Sequence, residues 1–510
     1  MTPQTSKTRA EWHKQIPQPD ALALIPEVMA RKFKVIPIDF TENTLRVAMA
    51  NPSDIFALEA LATRSQKRIE PLSATTDEIL EAIDLNYKAY DEIAKQITGM
   101  TQATRKLAGT TSVEEDGTVD AVSTTPIVQA LTLIIDEAVK ARASDIHVQP
   151  QEHNLRVRYR IDGTLYDMFT LPLETVNPIC SRIKILANMN IADHHRPQDG
   201  HFSINAKGRW LDVRVGTVPT VYGEMVALRL LDKSRVQLSL GQLGFSTESL
   251  PVYSEMLKAP YGMILVSGPT GAGKTTTLYA SINTLDSTQL NIITIEDPVE
   301  YHFKNVNQIQ VNPRADVTFA AGLRSILRLD PDVILVGEIR DAETAGIAVQ
   351  AALTGHLVLS SIHANDTTGA VIRLLDLGVE PFLVSSALLG VIAQRMVRHV
   401  CPNCATPTVA PLVEQIAYNK EMGESKKEFM YGSGCRFCAN TGYHGRTGIF
   451  EIMRLSDAMR AMLLDKDGTS RLRDQALQEG MVTLARDGMK KVSAGVTNPA
   501  EVLRNAYATE

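Results

Sequence analysis

A glycine-rich segment ending in lysine is the strongest chemical signal in the chain. Gly268-Pro-Thr-Gly-Ala-Gly273-Lys274-Thr275 matches the pattern G-x-x-x-x-G-K-[ST] in full, between an apolar strand and a helix. Glycines let backbone N–H groups turn inward and the helix N-terminus adds positive potential, so the segment predicts a phosphate-binding loop. Lys274 is expected to reach the β- and γ-phosphates of ATP, and the Thr275 hydroxyl to help hold Mg²⁺. The predicted nucleotide contacts in this segment are Gly268, Pro269, Thr270, Gly271, Ala272, Gly273, Lys274, Thr275 and Thr276.

Acidic side chains are needed beside a triphosphate to orient water and the metal ion. Glu338 ends an apolar strand, and Glu296, Asp297 and Glu300 cluster at and just beyond the end of another. Because ligands bind at the carboxyl ends of strands in an open α/β sheet, we expect these carboxylates to face the loop. Glu338, Glu300 and Glu296 are therefore candidate catalytic residues. Spacing alone does not decide which of them polarises the water.

Four of the five cysteines stand in two CxxC pairs, Cys401-Pro-Asn-Cys404 and Cys435-Arg-Phe-Cys438. A reducing cytoplasm favours metal over disulfide for such pairs. Four thiolates at this spacing suit tetrahedral Zn²⁺ in a closed structural site with no open position for catalysis. Cys180, within a helical stretch, is expected in a core.

The elements around the loop predict alternating buried strands and helices from about residue 236 onward. MILVSG (263–268), NIITIED (291–297) and VILVGE (333–338) are short apolar strands, and TTTLYASINTL (275–285) is a helix. This alternation is typical of a parallel, doubly wound sheet. The metal element, residues 396–452, is assigned to the same domain, 236–510.

Two further modules precede this domain. Residues 21–97 combine helical periodicity with two short strands and predict a small α/β domain, bounded at 1–97. Residues 98–120 are rich in Thr and Gly and predict a flexible linker. The segment 121–235 opens with an amphipathic helix (126–143) and continues mainly as strands; in 155–163 the period of two puts arginines on one face and apolar residues on the other.

Length and composition bound the possibilities. At roughly 150 residues per domain, 510 residues predict about three domains. The chain is 44% hydrophobic and 22% charged, which excludes a mostly disordered protein, and its net charge of -6 argues against a nucleic-acid partner. No apolar stretch reaches the ~18 residues of a membrane helix, and the N-terminus has no secretory signal. We therefore expect a cytoplasmic protein that is peripheral to a membrane.

Several ordered motifs resemble a known family, the secretion ATPases of type II secretion and type IV pilus assembly. The loop GPTGAGKTTTLY, the segment TIEDPVEY (294–301) and the long segment 327–366 are similar to the family's phosphate loop, Asp box, and Walker B and His box. In the middle module the resemblance is carried by SDIHVQP (144–150), RVRYRIDG (156–163) and RPQDGHF (196–202).

The resemblance implies a RecA-like P-loop NTPase domain preceded by a PAS-like α+β domain and a small N-terminal α/β domain. It also implies a homo-hexamer with ATP bound between the two lobes of each subunit. By motif position, the arginines that complete the site and respond to the γ-phosphate are Arg214 and Arg229, with Arg324 and Arg328 as further site arginines. His356 and His363 correspond to the His-box histidines, His356 as a nucleotide contact and His363 as a catalytic residue.

The expected function is a motor that hydrolyses ATP to assemble a type IV pilus or a type II secretion pseudopilus. The resemblance implies an inner-membrane platform protein and a membrane-anchored docking partner for residues 21–97. One family branch binds cyclic di-GMP through a module that opens with Arg-Leu-Gly, which residues 21–97 lack, so that ligand is not predicted. Two alternatives remain: a DNA-linked conjugation ATPase, and a nucleotide-gated scaffold with negligible hydrolysis.

Overall fold

The computed structural model divides the chain into two compact units. One unit comprises the described parts of residues 1–235 with 401–405 and 432–444, and the other comprises those of 236–400, 406–431 and 445–510. The structure describes residues 17–41, 43–76, 78–80, 82–83, 126–206, 208–232, 238–465 and 471–507. The predicted linker, residues 98–120, lies outside these ranges.

The first unit begins with a small three-stranded α/β module. Strand β1 is antiparallel to β2, and β2 is parallel to β3. Alternate apolar residues such as Ile36, Ile38, Leu45 and Val47 form its core. The bounds are α1 Pro19–Leu24, α2 Glu27–Phe33, β1 Val35–Phe40, β2 Thr44–Met49, α3 Ile55–Ser65 and β3 Arg68–Ser73. The small α/β module expected from the sequence is confirmed.

The same unit continues with a six-stranded sheet in the order β6-β5-β4-β9-β8-β7, in which all five pairings are antiparallel. Apolar side chains on one face form a core with helices α4 and α5, which includes the buried Cys180. The bounds are α4 Pro126–Lys140, β4 Ala143–Pro150, β5 Asn154–Ile161, β6 Thr164–Pro172, α5 Val176–Leu186, β7 Gln198–Ala206, β8 Arg209–Thr220 and β9 Gly223–Asp232. Short 3₁₀ turns lie at Leu173–Thr175 and Arg436–Cys438.

The second unit is built on a seven-stranded sheet in the order β12-β11-β13-β14-β10-β15-β18. The five pairings from β12 to β15 are parallel. The strands are β10 Gly262–Ser267, β11 Ile292–Glu296, β12 Asn307–Gln310, β13 Val333–Val336, β14 Leu357–Ile362, β15 Leu388–Val400 and β18 Tyr443–Arg454, and a separate pair is β16 Ala405–Val409 with β17 Glu428–Gly432. The three strands anticipated from the sequence are β10, β11 and β13.

Both faces of this sheet are covered, which explains its uninterrupted apolar strands. In β10, Met263 and Leu265 join one core while Ile264 and Val266 join another. Since successive side chains point to opposite faces, a strand between two helical layers must be apolar at every position. The helices are α6 Ser249–Leu257, α7 Lys274–Thr284, α8 Phe319–Ile326, α9 Ala342–Leu353, α10 Thr367–Asp376, α11 Pro381–Ala387, α12 Leu412–Met422, α13 Asp457–Leu464, α14 Leu472–Gln478, α15 Leu484–Ser493 and α16 Pro499–Ala506, with 3₁₀ turns at Leu240–Leu243 and Pro313–Ala315.

No helix within the described ranges combines the length and the apolar character needed to cross a bilayer.

Candidate functional site

Four neighbouring strands of the second unit end at one edge of the sheet. The register pairs Ser267 with Ile362, Val336 with Ser360, and Ile295 with Val336. The residues that follow β10, β11, β13 and β14 therefore emerge together, as expected for parallel strands. These residues are the phosphate loop, the Asp297–Glu300 segment, Glu338 and His363.

The phosphate loop needs its glycines for both backbone conformation and space. Gly268, Gly271 and Gly273 have φ of 152°, 80° and 88°, values that glycine adopts without strain. A Cβ atom on Gly268 would lie 2.6 Å from the carbonyl oxygen of Gln394, and one on Gly273 would lie 2.9 Å from its Nε2. Gly273 is the N-cap of α7, so the loop leads directly into a helix N-terminus.

Lys274 extends from the first position of α7 across the loop. Its Nζ donates to the carbonyl oxygens of Gly268 at 2.8 Å and Pro269 at 3.2 Å. Burial lowers the pKa of the Lys274 ammonium; the carboxylate of Glu338 opposes this shift and the guanidinium of Arg395 adds to it. Thr275 and Thr276 follow in the same turn with exposed side chains. The ammonium and the hydroxyls are thus at the loop, where phosphates would bind.

Glu338 is the carboxylate whose charge acts on Lys274, and it is flanked by Arg340 and His363. Its Oε1 lies 2.6 Å from Arg340 NH2 and its Oε2 lies 3.6 Å from His363 Nε2, while its side chain is only 14% exposed. Burial and then the charge of Lys274 lower the pKa of the His363 imidazole, against the opposing effect of Glu338. Arg340 was not identified from the sequence, although it lies two residues after Glu338.

Glu296 and Glu300 occupy different positions. The carboxylate of Glu296 is buried and accepts hydrogen bonds from the Tyr279 hydroxyl, from Thr294 Oγ1 at 2.6 Å and from Gln308 Nε2 at 3.2 Å. Both of its oxygens are thereby engaged by the protein. Glu300 is exposed, and its backbone N–H donates to the Tyr279 hydroxyl at 3.2 Å. Tyr279 therefore links the two residues, a role that the sequence did not reveal.

A cavity of about 280 Å³ opens beside the loop. It is lined by Gly268, Pro269, His363, Ala364 and Asn365. The amino-terminal part of the phosphate loop and the segment after β14 thus share one recess, with Lys274 bonded to two of its lining residues.

The structure does not bring His356 to the loop of its own chain. Its carbonyl oxygen accepts from the Gly262 N–H at 3.0 Å, at the amino end of β10, and its Nδ1 lies 2.9 Å from the Ala351 carbonyl oxygen. His363 stands at the other end of β14, roughly 20 Å away at the usual strand rise. The two His-box histidines therefore lie at opposite edges of the sheet.

Of the four predicted arginines, two lie in the second unit with the phosphate loop and two lie in the first unit. Arg324 NH1 lies 2.6 Å from Glu343 in the first turn of α9, and Arg328 NH1 donates to the Arg324 carbonyl at 2.9 Å. In the first unit, Arg214 of β8 is the register partner of Arg229 of β9. Arg229 Nε lies 3.2 Å from Asp145, and its side chain is 64% exposed.

The four paired cysteines converge into one cluster. Their Sγ atoms all lie within 4.8 Å of one another, with 3.8 Å between Cys401 and Cys435, 3.9 Å between Cys404 and Cys438, and 3.7 Å between Cys435 and Cys438. A tetrahedron with Zn–S bonds of about 2.3 Å has edges of roughly 3.8 Å, so the cluster fits zinc. Burial and the neighbouring Cys438 hold the pKa of the Cys404 thiol above its usual range, a cost that a bound cation would remove.

We expect the purified protein to contain about one zinc ion per chain, and Cys435→Ser to contain close to none, because three thiolates bind structural zinc much more weakly than four. Elemental analysis after dialysis measures the stoichiometry. Cys180→Ala is the matched control, since Cys180 is a buried cysteine in the core beneath the six-stranded sheet and should leave the zinc in place. Zinc retained by Cys435→Ser, or missing from the wild type, would contradict the assignment.

Comparisons with known proteins agree with this geometry. Residues 120–504 match the family described as Type II/IV secretion system protein, and residues 15–92 match the MshEN domain. The chain is 41% identical over 492 residues to the type IV pilus assembly ATPase PilB of Myxococcus xanthus, covering 96% of this chain and 87% of that protein. It is 41% identical over 490 residues to type II secretion system protein E of Pectobacterium carotovorum, covering 94% and 96%.

Among solved structures, the pilus retraction motor PilT with bound ADP matches at a TM-score of 0.50 and 27% identity, over 73% of this chain and 96% of that one. The expected RecA-like P-loop fold with its preceding α+β and small α/β domains is confirmed. The family match covers most of the chain, and relatives that align over almost its whole length are 41% identical, which together establish its family. This chain belongs to the Type II/IV secretion system protein family, which includes the ATPases of type II secretion and type IV pilus assembly.

Proposed function

We propose that the protein is a motor that hydrolyses ATP. One observation carries the proposal: a complete phosphate loop with Lys274, and the largely buried carboxylate of Glu338 paired with Arg340, lie at one edge of the sheet. The loop N–H groups and Lys274 bind the β- and γ-phosphates of ATP. The Thr275 hydroxyl would help hold Mg²⁺, which when bound would supply positive charge to offset that of the phosphates.

Among the three candidate carboxylates, Glu338 is the one that orients the attacking water. Its electrostatic coupling to Lys274 and its 3.6 Å approach to His363 support this role. His363 assists at the same edge. Glu300, exposed beyond β11, acts as a further carboxylate of the site. The engaged, buried carboxylate of Glu296 makes it a positioning residue for the Asp-box segment.

The remaining predicted site residues act through a homo-hexamer. Arg214, Arg229, Arg324, Arg328 and His356 complete and sense nucleotide sites in the assembled ring. The planar, permanently charged guanidinium suits this recognition of phosphate oxygens. The exposure of Arg229 and Arg324, at 64% and 52% of their side chains, supports their availability to an adjacent chain.

For the domains, we propose the boundaries expected from the sequence. Residues 1–97 form a docking domain, 121–235 the PAS-like domain and 236–510 the ATPase domain, with 98–120 as the linker. The tetracysteine element, within 396–452, is held by structural Zn²⁺ on Cys401, Cys404, Cys435 and Cys438.

The biological role is assembly of a type IV pilus or a type II secretion pseudopilus. The names of relatives that align over almost the whole chain support it. The protein is cytoplasmic and peripheral to the bacterial inner membrane, where it acts on a platform protein and binds a membrane-anchored partner. The net charge of -6 supports the absence of a nucleic-acid partner.

Phosphate release from Mg²⁺-ATP by the purified protein, measured with its oligomeric state by sedimentation, tests the proposal. We expect the purified protein to form a hexamer that hydrolyses ATP. The reference is Glu338→Gln. Release by the wild type that is indistinguishable from this variant would favour the scaffold instead, and salt-sensitive retardation of DNA would favour a conjugation ATPase.

A further inference from the structure

Strand β15 runs directly alongside the phosphate loop. The parallel register pairs Ala393 of β15 with Ser267, the last residue of β10. Gln394 is therefore level with Gly268, where the chain turns into the loop. The missing side chains of Gly268 and Gly273 are what allow this approach, because a Cβ on either would come within 3 Å of Gln394.

The side chain of Gln394 connects the loop to the helix that follows it. Its Nε2 donates to the carbonyl oxygen of Ala272 at 2.8 Å, and its Oε1 accepts from Thr277 Oγ1 at 2.6 Å. Gln394 is only 2% exposed, so water does not substitute for these bonds. Because the Ala272 carbonyl can only accept, the group beside it must be the amide NH₂. The amide of Gln394 satisfies both neighbours because it offers a donor and an acceptor.

The backbone of Gln394 is held as firmly as its side chain. Arg395, 5% exposed, donates from NH1 to the Gln394 carbonyl at 3.1 Å and from NH2 to the Asn365 carbonyl at 2.7 Å. Asn365 and Gly268 both line the cavity beside the loop. The two buried side chains thus connect the loop, α7 and the opposite wall of the cavity through β15.

We propose that Gln394 is a positioning residue that holds the phosphate loop in its binding conformation through Ala272 and Thr277. This inference rests on the proposed function and adds a residue to the nucleotide site that does not itself touch phosphate. A loop whose N–H groups are already oriented binds phosphate without first being ordered. Loss of the two Gln394 hydrogen bonds should therefore weaken nucleotide binding rather than slow the hydrolysis of bound nucleotide.

The decisive variants are Gln394→Met, which keeps side-chain length but removes both bonds, and Thr277→Val, which is isosteric and removes one. Tyr253→Phe is the matched control, because it deletes the buried bond at 2.5 Å between Tyr253 and Ser281 farther along the same helix. The Kd of a fluorescent ADP analogue, the KM and kcat for ATP, and the melting temperature are measured for each protein.

We expect Gln394→Met to raise Kd and KM about tenfold and Thr277→Val about threefold, with kcat changed less than about threefold, the scale of one or two neutral hydrogen bonds. Tyr253→Phe should lower the melting temperature and leave Kd and KM unchanged. A variant that is merely destabilised has fewer active molecules, which lowers kcat at constant KM.

Kd and KM within about twofold of wild type in both variants would overturn the positioning role. If Gln394→Met does not fold, Thr277→Val decides alone. If the wild-type protein binds ADP but releases no phosphate from ATP, the proposed hydrolysis is wrong and the Kd values alone test the role of Gln394. If the wild-type protein does not bind ADP, both the proposed function and the role of Gln394 are wrong.

Discussion

Lys274→Ala is expected to lower ATP hydrolysis at least about 100-fold, because it removes the ammonium that stabilises charge on the β- and γ-phosphates. Lys274 lies at the loop and donates to the Gly268 and Pro269 carbonyls, and burial lowers the pKa of its ammonium against the opposing effect of Glu338. Steady-state phosphate release gives the loss in kcat/KM. The melting temperature should stay near that of the wild type, since the apolar cores on both faces of the sheet are unaffected.

Lys258→Ala is the matched control for this variant. Lys258 is an exposed lysine that pairs with Glu255 at 2.7 Å after α6, and its removal takes away the same charge from the same unit. It should leave hydrolysis unchanged. Full activity in Lys274→Ala would refute the assignment of the nucleotide site.

Glu338→Gln is expected to lower kcat by a factor of about 10²–10⁴ while nucleotide affinity stays within about threefold, because the amide keeps the shape of the side chain but cannot orient water as a carboxylate does. The carboxylate is 14% exposed and held between Arg340 and His363, so the substitution also removes an ion pair. Single-turnover hydrolysis, together with the Kd for a non-hydrolysable ATP analogue, separates the chemical step from binding.

Glu300→Gln is the comparison that makes this result specific. It makes the same change at an exposed carboxylate after β11, and we expect it to reduce kcat less than Glu338→Gln does. An equal or larger loss in Glu300→Gln would move the role of orienting water from Glu338 to the Asp-box segment.

The hydrophobic pattern of short segments was enough to predict several strands of the fold. The strands at β10, β11 and β13 were recognisable as apolar runs, and the face of β5 that carries Arg156, Arg158 and Arg160 followed from a period of two. Strand β15 was not anticipated, because Gln394 and Arg395 interrupt its apolar sequence although the structure buries both side chains. The partners of Glu296, above all Tyr279, were missed for a related reason: a hydroxyl in a helix predicts nothing until the neighbouring strand is known.

By itself, the sequence determined the chemistry available to this protein: a glycine loop with a lysine for phosphate, acidic residues at strand ends, and four thiolates for zinc. These follow from residue types at short fixed spacings. Only the tertiary structure decided that Glu296 is engaged internally, that His356 and His363 lie at opposite sheet edges, and that Gln394 contacts Ala272 from 122 positions away. Such choices depend on which strands become neighbours, and strand order is set by packing of the whole sheet rather than by any one segment.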